Sequence, residues 1–521
     1  MEKSFRITTG EILYWLFFGT LLLAKGLGFY DGQFVFLLIL VFATLCLFIK
    51  ILIEKYTISE FIKIFVIMLV TGMTYVLSGE KGLLLYGMMM IGMKYVNVKN
   101  LFKIGALIWG AAFTFIVIFS SFHMEDTVYK IHEKLGMGHI FRWSLGYPHP
   151  NVLQISYIVL AIFVIYLLGK GFNWKHACLL FLGNCIVFLY SVSYTGFIVF
   201  MVLLLGRIYL MLRRKFNLLE KILIQLIYPS CVLISLVLPR KGYGKLFLFL
   251  NKVLSSRMEL ANMYLKPEYI SLFGRRLSEI TTETLTMDNA YLYGYITYGV
   301  IPFLILSVFS VFMIYMMTKR EQYLELVIVI AIAIGGLTEP FLYNTSFKNL
   351  SFIFMGTLLF HGQTNGKERM LLPGLHLQKW NRTFELKNDK WDNFEHKLKE
   401  VFSFSLVKLL FAIGCGMIVA VTAEAVITYP KGYVVYRADC SDLEKVFHHY
   451  GEENEKYPDY KEMGEFQQGE LVEYFGGNIV LMERIRDTIR FLLLGFGMGY
   501  FIYSIILQGR IGETGNDKEA K

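Results

Sequence analysis

Residues 240–289 read RKGYGKLFLFLNKVLSSRMELANMYLKPEYISLFGRRLSEITTETLTMDN. This polar stretch lies between two hydrophobic runs, 219–239 and 289–316, and carries eight Lys/Arg against five acids. A polar segment framed in this way predicts membrane on either side of it. The flanking runs are continuous and near the ~20 residues a bilayer needs, which favours helices over a barrel, whose strands alternate. Across 521 residues, 55% are hydrophobic, 16% aromatic and only 18% charged, a balance that excludes an ordinary soluble domain.

Working outward, the apolar runs predict an all-α polytopic membrane protein of about fourteen transmembrane helices. They fall at 11–30, 33–53, 60–78, 82–95, 101–121, 150–169, 174–190, 195–212, 219–239, 289–316, 323–342, 346–362, 405–428 and 486–507. The charged start and first apolar run lack a small-residue cleavage site, so the first span is expected to be retained. With the N-terminus inside, Lys3, Arg6, Lys50, Lys55, Lys94, Lys99, Lys103, Lys170, Lys175, Arg213, Arg214, Lys215, Lys319 and Arg320 collect at cytoplasmic ends, and the short opposite loops are nearly free of positive charge. Both termini are then cytoplasmic, and 122–149, 240–288 and 429–485 face outward. The expected organisation is a membrane domain over 1–362 with outer loops 122–149 and 240–288, a cytoplasmic linker over 363–404, a two-span unit over 405–507 carrying the acidic segment 429–485, and a tail over 508–521.

Several function classes recede on this reading. The net charge of +10 is explained by cytoplasmic loop bias, so nucleic acid is not an expected partner. Few charges fall within spans; Lys25 and Lys63 lie near span ends, where long side chains snorkel, and this scarcity argues against ion-coupled transport. Five of the six cysteines sit in apolar spans and only Cys440 in a polar one, which indicates neither a disulfide framework nor a zinc site. His448 and His449 among the acids of 429–485 have no regular ligand spacing, and a solvated acidic face explains them better than a metal. No phosphate-binding glycine loop, HExxH or GxSxG occurs. No metal or cofactor is expected.

The informative signal is positional. The topology brings Arg142, His149, Asn151, the Ser191–Thr195 link, Asp288, Asn289 and Glu339 to the outer face, beside Arg257, Arg275 and Arg276 of the basic loop. Guanidinium groups bind phosphate oxygens in bidentate fashion, so the loop suits an anionic group such as the phosphate of a lipid carrier. Each residue also has a plainer explanation. Pro150 suits the first helical turn, with His149 or Asn151 as a cap; Asp288 suits an N-cap; Glu339 suits a structural ion pair.

These residues resemble a known family. Arg142-Trp-Ser-Leu-Gly-Tyr-Pro-His-Pro-Asn151 is similar to the R…G…HPN motif of Wzy-type O-antigen and capsular polysaccharide polymerases. Ser191-Val-Ser-Tyr-Thr-Gly196 resembles their SxSRTG element, Leu254-Ser-Ser-Arg257 with Leu272-Phe-Gly274 their LSSR…LFG pattern, and Asp288-Asn-Ala-Tyr-Leu292 with Tyr298-Gly299 their DNxYL…YG helix start. The four occur in family order over roughly 140–300, and more weakly to Glu339-Pro340. Tyr194 stands where the family often has Arg. Related O-antigen ligases carry His-Asn where this chain has Asp288-Asn289, which favours the polymerase branch. The unit 405–507 is outside the family pattern.

The resemblance implies a C-type glycosyltransferase-like helical membrane fold with a sizeable extracytoplasmic loop, acting at the outer face of the bacterial cytoplasmic membrane. It implies transfer of a growing glycan from undecaprenyl diphosphate to the non-reducing end of the next lipid-linked repeat unit, without metal or nucleotide sugar. Arg257 first, then Arg142, Arg275 and Arg276, are expected to stabilise the leaving diphosphate. His149, Asp288 or Glu339 is expected to orient and deprotonate the acceptor hydroxyl. Asn151, Asn289 and Tyr291 join the substrate-binding set, and the bilayer, a chain-length regulator and a flippase are the implied partners. The alternatives are a ligase moving lipid-linked glycan to another acceptor, a lipid-linked oligosaccharide flippase, and a scaffold or sensor built on the acidic unit.

Overall fold

The computed structural model describes residues 5–124, 128–134, 138–213, 215–242, 244–253, 257–276, 287–360, 376–386, 406–437, 448–449, 460–463, 471–475 and 477–504. Leu254, Ser255 and Ser256, Glu279 and Glu283, most of the 363–404 linker, Cys440, the acids Asp439 to Asp459 with Glu465 and Glu470, and the 508–521 tail lie outside the described residues. The chain divides into two compact units: Arg6–Thr127 with Ser144–Leu386, and Met1–Phe5 with Val128–Trp143 and Lys387–Lys521. The loop 122–149, expected within the first domain, is therefore split between them at Thr127 and Trp143.

The larger unit is helical. Its elements are α1 (Thr9–Gly26), α2 (Phe34–Ile53), α3 (Ile58–Ser78), α4 (Gly82–Gly92), α5 (Val98–Phe122), α6 (Pro150–Leu168), α7 (Trp174–Ser191), α8 (Tyr194–Leu212), α9 (Leu218–Leu236), α10 (Leu238–Lys241), α11 (Lys245–Val253), α12 (Arg257–Tyr264), α13 (Ala290–Tyr293), α14 (Val300–Lys319), α15 (Tyr323–Gly335) and α16 (Ser351–Phe360). Among the described residues of the whole chain, nine helices are long and apolar enough to cross a membrane, and α4, α15 and α16 are shorter apolar helices. Leu38, Phe42 and Leu45 of α2 are exposed, the inverse of a soluble surface and the arrangement that lipid solvation permits. Thr57 with Glu60, and Asn217 with Glu220, form capping boxes that start α3 and α9 where the polar loops end.

In three predicted spans of the larger unit, non-helical backbone replaces part of the expected helix. The run 289–316 is not one helix: α13 passes into a π turn at Gly294–Tyr298, and α14 begins only after Gly299, whose φ is +88°. The run 323–342 stops being an α-helix at Gly335, because Gly335-Gly336 and Pro340 break the ladder. The run 346–362 starts at Ser351. The break after Gly335 leads to Glu339, and the stretch before Ser351 holds Lys348 in non-helical backbone.

The break at Gly299 is where the LFG and YG elements meet. Val300 N–H donates to the Ser271 carbonyl at 2.9 Å and Ile301 N–H to the Leu272 carbonyl at 3.1 Å. Gly274 has φ +92°, and a Cβ there would stand 2.1 Å from the Thr297 carbonyl oxygen; one on Gly299 would stand 2.3 Å from the Gly274 nitrogen. Backbone lies on backbone, with no flexible side chain to yield. Gly274→Ala is therefore expected to lower the melting temperature of the purified protein, with ~1–2 kcal/mol lost to backbone strain alone. Gly72→Ala, where an added methyl meets nothing within 4 Å, is the control. Equal melting of the two variants would contradict this packing.

β1 (Phe5–Thr8) pairs with β4 (Thr383–Leu386), which lies in the described part (376–386) of the predicted linker, and Thr9 N–H donates to the Arg382 carbonyl at 2.9 Å.

In the smaller unit, helices Leu406–Val426 and Gly477–Ile502 pack along their lengths. The second starts nine residues before the predicted span, so Glu483 and Arg486 are helical and buried as an ion pair. The hairpin β2 (Tyr129–Lys134) and β3 (Gly138–Trp143) belongs to this unit, with Trp143 Nε1 donating to Glu483 at 2.8 Å. The segment read as a solvated acidic face contributes a four-stranded sheet: β5 (Gly432–Arg437) runs antiparallel to β8 (Leu471–Phe475) and parallel to β7 (Tyr460–Met463), and β6 (His448–His449) pairs with β8.

Candidate functional site

One buried carboxylate gathers side chains from distant parts of the larger unit. Glu339 follows the break after α15, in extended backbone, and is 7% exposed. Its Oε1 accepts from Asn151 Nδ2 at 2.8 Å and from Thr195 Oγ1 at 3.4 Å, and lies 4.0 Å from the Arg257 guanidinium. The same Arg257 nitrogen donates to Asp288 Oδ2 at 3.1 Å. A buried carboxylate without such donors costs several kcal/mol.

Local sequence explains how each group is delivered. Pro150 opens α6 and His149 caps it, its Nδ1 accepting the Asn151 N–H at 3.1 Å, so Asn151 projects from the first turn. The capping role weighed for His149 is the geometry formed. Val192 takes a left-handed conformation (φ +41°) between α7 and α8, and Ser193 caps α8 by accepting the Gly196 N–H, which leaves Thr195 pointing at Glu339. Gly196 faces Gln154 of α6; a Cβ would sit 2.5 Å from its Cγ, so α6 and α8 approach closely only with glycine there. Ser191 donates to Gln154 Oε1 at 2.8 Å and Gln154 Nε2 to Asn184 Oδ1 at 2.6 Å, a buried network one turn below Asn151. Arg257 is the first residue of α12, anchored by buried Met258, Ala261 and Tyr264. Burial, and then the charge of Asp288, hold the Tyr264 phenol above its ordinary pKa, so it is a neutral group beside this ion pair.

The other predicted residues take different places. Asn289, not Asp288, caps α13 by accepting the Leu292 N–H; its Nδ2 donates to Ser235 Oγ at 2.8 Å and to the Leu337 carbonyl at 3.1 Å. That set makes Asn289 a brace between α9, α13 and the Glu339 turn. Tyr291 is fully buried, donating to the Ala333 carbonyl at 2.7 Å with its ring edge-on to Tyr228, so it packs α13 against α15 and does not line an open site. Arg275 and Arg276 are exposed just past Gly274. Arg142 is buried in β3 of the smaller unit. Tyr194 is exposed, with its ring tilted at 54° against Phe188.

Two participants carry no motif signature. Ser235 of α9 supports Asn289. Lys348 is 4% exposed, with Nζ 3.0 Å from Ser156 Oγ and over the Trp109 and Tyr147 rings. A lone lysine inside the apolar run 346–362 was the available signal. The space bounded by Arg257, Tyr264, Asp288 and Asn289 is about 10 Å³, room for roughly one water.

The fold and this cluster define a multi-pass helical membrane protein with an arginine–carboxylate centre at one end of its helices. No family model, curated protein or solved structure matches the chain.

Proposed function

We propose that the chain polymerises undecaprenyl-diphosphate-linked oligosaccharide repeat units at the outer face of the bacterial cytoplasmic membrane. The observation that carries this reading is the Arg257–Asp288/Glu339 centre, built from residues of all four resembling motifs or their extension: Asn151, Thr195, Arg257, Asp288 and Glu339. In the reaction, the bond between the sugar anomeric carbon and the diphosphate oxygen breaks as the acceptor hydroxyl oxygen bonds to that carbon. The diphosphate leaves with the electron pair, and the hydroxyl proton passes to a carboxylate. Arg257 would turn from Asp288 to the diphosphate, and Glu339, held by Asn151 and Thr195, would orient the hydroxyl and take its proton. Leu246, Leu248 and Phe249 of α11 are exposed close in sequence to Arg257 and suit a prenyl chain at the membrane surface.

The pairing assigns Asp288 a holding role. Asp288→Asn keeps an acceptor for Arg257 but removes the charge that competes with the donor. The donor KM is expected to fall, with kcat held within a few-fold. A kcat loss as large as that of Arg257→Ala would instead make Asp288 the base. In cells, deletion of the gene is expected to leave single repeat units on the final acceptor. Accumulated full-length lipid-linked polymer would point to a ligase.

A further inference from the structure

The chain leaves the membrane after α9 and forms a short helix almost at once. α9 and α10 make one apolar run, Leu218–Lys241, of 24 residues. At 1.5 Å per residue the run is ~36 Å long, more than the ~30 Å hydrocarbon core, so Arg240 and Lys241 at its end reach the headgroups. Gly242 (φ +66°) and Gly244 (φ +109°) then turn the chain. α11 begins at Lys245, and the four residues from Lys241 span at most ~14 Å. The start of α11 is therefore tied to the bilayer surface.

The two faces of α11 differ. Phe247 is buried, and Asn251, one turn further on, accepts the Glu259 N–H of α12 at 3.1 Å, so that face is held by protein. The opposite face carries Leu246, Leu248 and Phe249, which are 59%, 64% and 63% exposed, with exposed Lys245 among them. Three large apolar side chains turned to water are a costly surface, whereas at the acyl boundary they are what an interfacial helix presents. The apolar surface is continuous in sequence with the lipid-facing side of α9, where Leu233 and Val237 are exposed. Charge favours the same location. From Arg240 to Met258 the chain has five Lys/Arg and no acid, and Arg240, Lys241 and Lys245 are exposed. Basic residues beside an apolar helix face complement the phosphates of anionic lipids.

We infer that α11 is an interfacial anchor: Leu246, Leu248 and Phe249 insert at the acyl boundary of the leaflet that α9 leaves, and Arg240, Lys241 and Lys245 engage the phosphates of anionic phospholipids. The anchor keeps Arg257, four positions past Val253, tethered to the membrane surface. The inference does not depend on the chemistry proposed at Glu339, and its test reads no activity.

Photocrosslinking of the full chain tests it, in nanodiscs of equal phosphatidylglycerol and phosphatidylcholine that contain no prenyl lipid. p-Benzoylphenylalanine replaces Phe249 and, as the reference for lipid contact, Leu226, an exposed position within α9. Mass spectrometry is expected to find phospholipid adducts at both positions. At Phe249 phosphatidylglycerol is expected to be favoured about fivefold, the scale of one cation at a membrane surface, and at Leu226 not at all. Lys241→Gln combined with Lys245→Gln alters only exposed side chains, and is expected to keep the Phe249 adduct while removing most of the preference. A phospholipid adduct at Leu226 with none at Phe249 would leave the α11 face to another occupant and overturn the anchor. So would Phe249 adducts to this chain or to a second copy. Equal labelling by the two lipids at Phe249, or a preference that the lysine variants leave unchanged, would overturn the assigned role of the cations.

Discussion

Arg257→Ala protein is expected to reach the membrane at wild-type level and to form polymer ~10²–10³-fold more slowly, the loss typical of removing one preorganised donor to a developing anion. The stability cost is small. Asp288 is 36% exposed on its side chain, so the ion pair is screened and contributes on the order of 1 kcal/mol or less. Glu339 keeps Asn151 and Thr195 as donors when Arg257 is gone. Arg257→Lys retains charge but not the planar fork, and an intermediate rate is expected. Wild-type polymer length and rate in a well-expressed Arg257→Ala strain would remove Arg257 from the mechanism.

Glu339→Gln is the second large effect. Glutamine has the same shape and its Oε1 accepts from Asn151 and Thr195 as before, so the turn after α15 is expected to be preserved while the proposed proton acceptor is lost. A rate loss of ~10²–10⁴ is expected, the range for a general base. The acidic limb of the wild-type pH–rate profile should disappear with it. A purely structural Glu339 predicts the opposite pattern: a lowered melting temperature, with rate and pH profile unchanged. The proposed mechanism has Arg257 and Glu339 act on one transition state, so it predicts a double variant little slower than the worse single one.

Much of the architecture was legible because lipid imposes a blunt requirement. Each of the fourteen apolar runs contains a helix, and Pro150, Thr57 and Asn217 mark helix starts as their chemistry dictates. The breaks were less legible. A π turn within 289–316 leaves the run's hydropathy unchanged, and Gly294 and Gly299 were its only marks. The sheet formed by β5, β6, β7 and β8 was not legible because its strands span only two to six residues and lie in a segment rich in acids, so charge outweighs any alternation. For the site, ends of spans showed which polar residues share a surface, yet not which touch. Asn151 and Glu339 are 188 residues apart, and their contact depends on how α6, α8 and α15 pack. Periodicity could not separate Asp288, which pairs with Arg257, from Asn289, which caps α13, since both suit a helix start. Tyr291 belongs to a motif but is spent on packing, because the first turn of α13 is already buried.

The most direct test of the proposed activity is elongation by the purified full chain. Given synthetic undecaprenyl-diphosphate repeat units of the native sugar structure, without metal or nucleotide sugar, it is predicted to yield a ladder of lipid-linked products rising by whole repeat units, absent from the Arg257→Ala reaction. Unextended repeat units with the wild-type protein, or the same ladder with Arg257→Ala, would contradict the account.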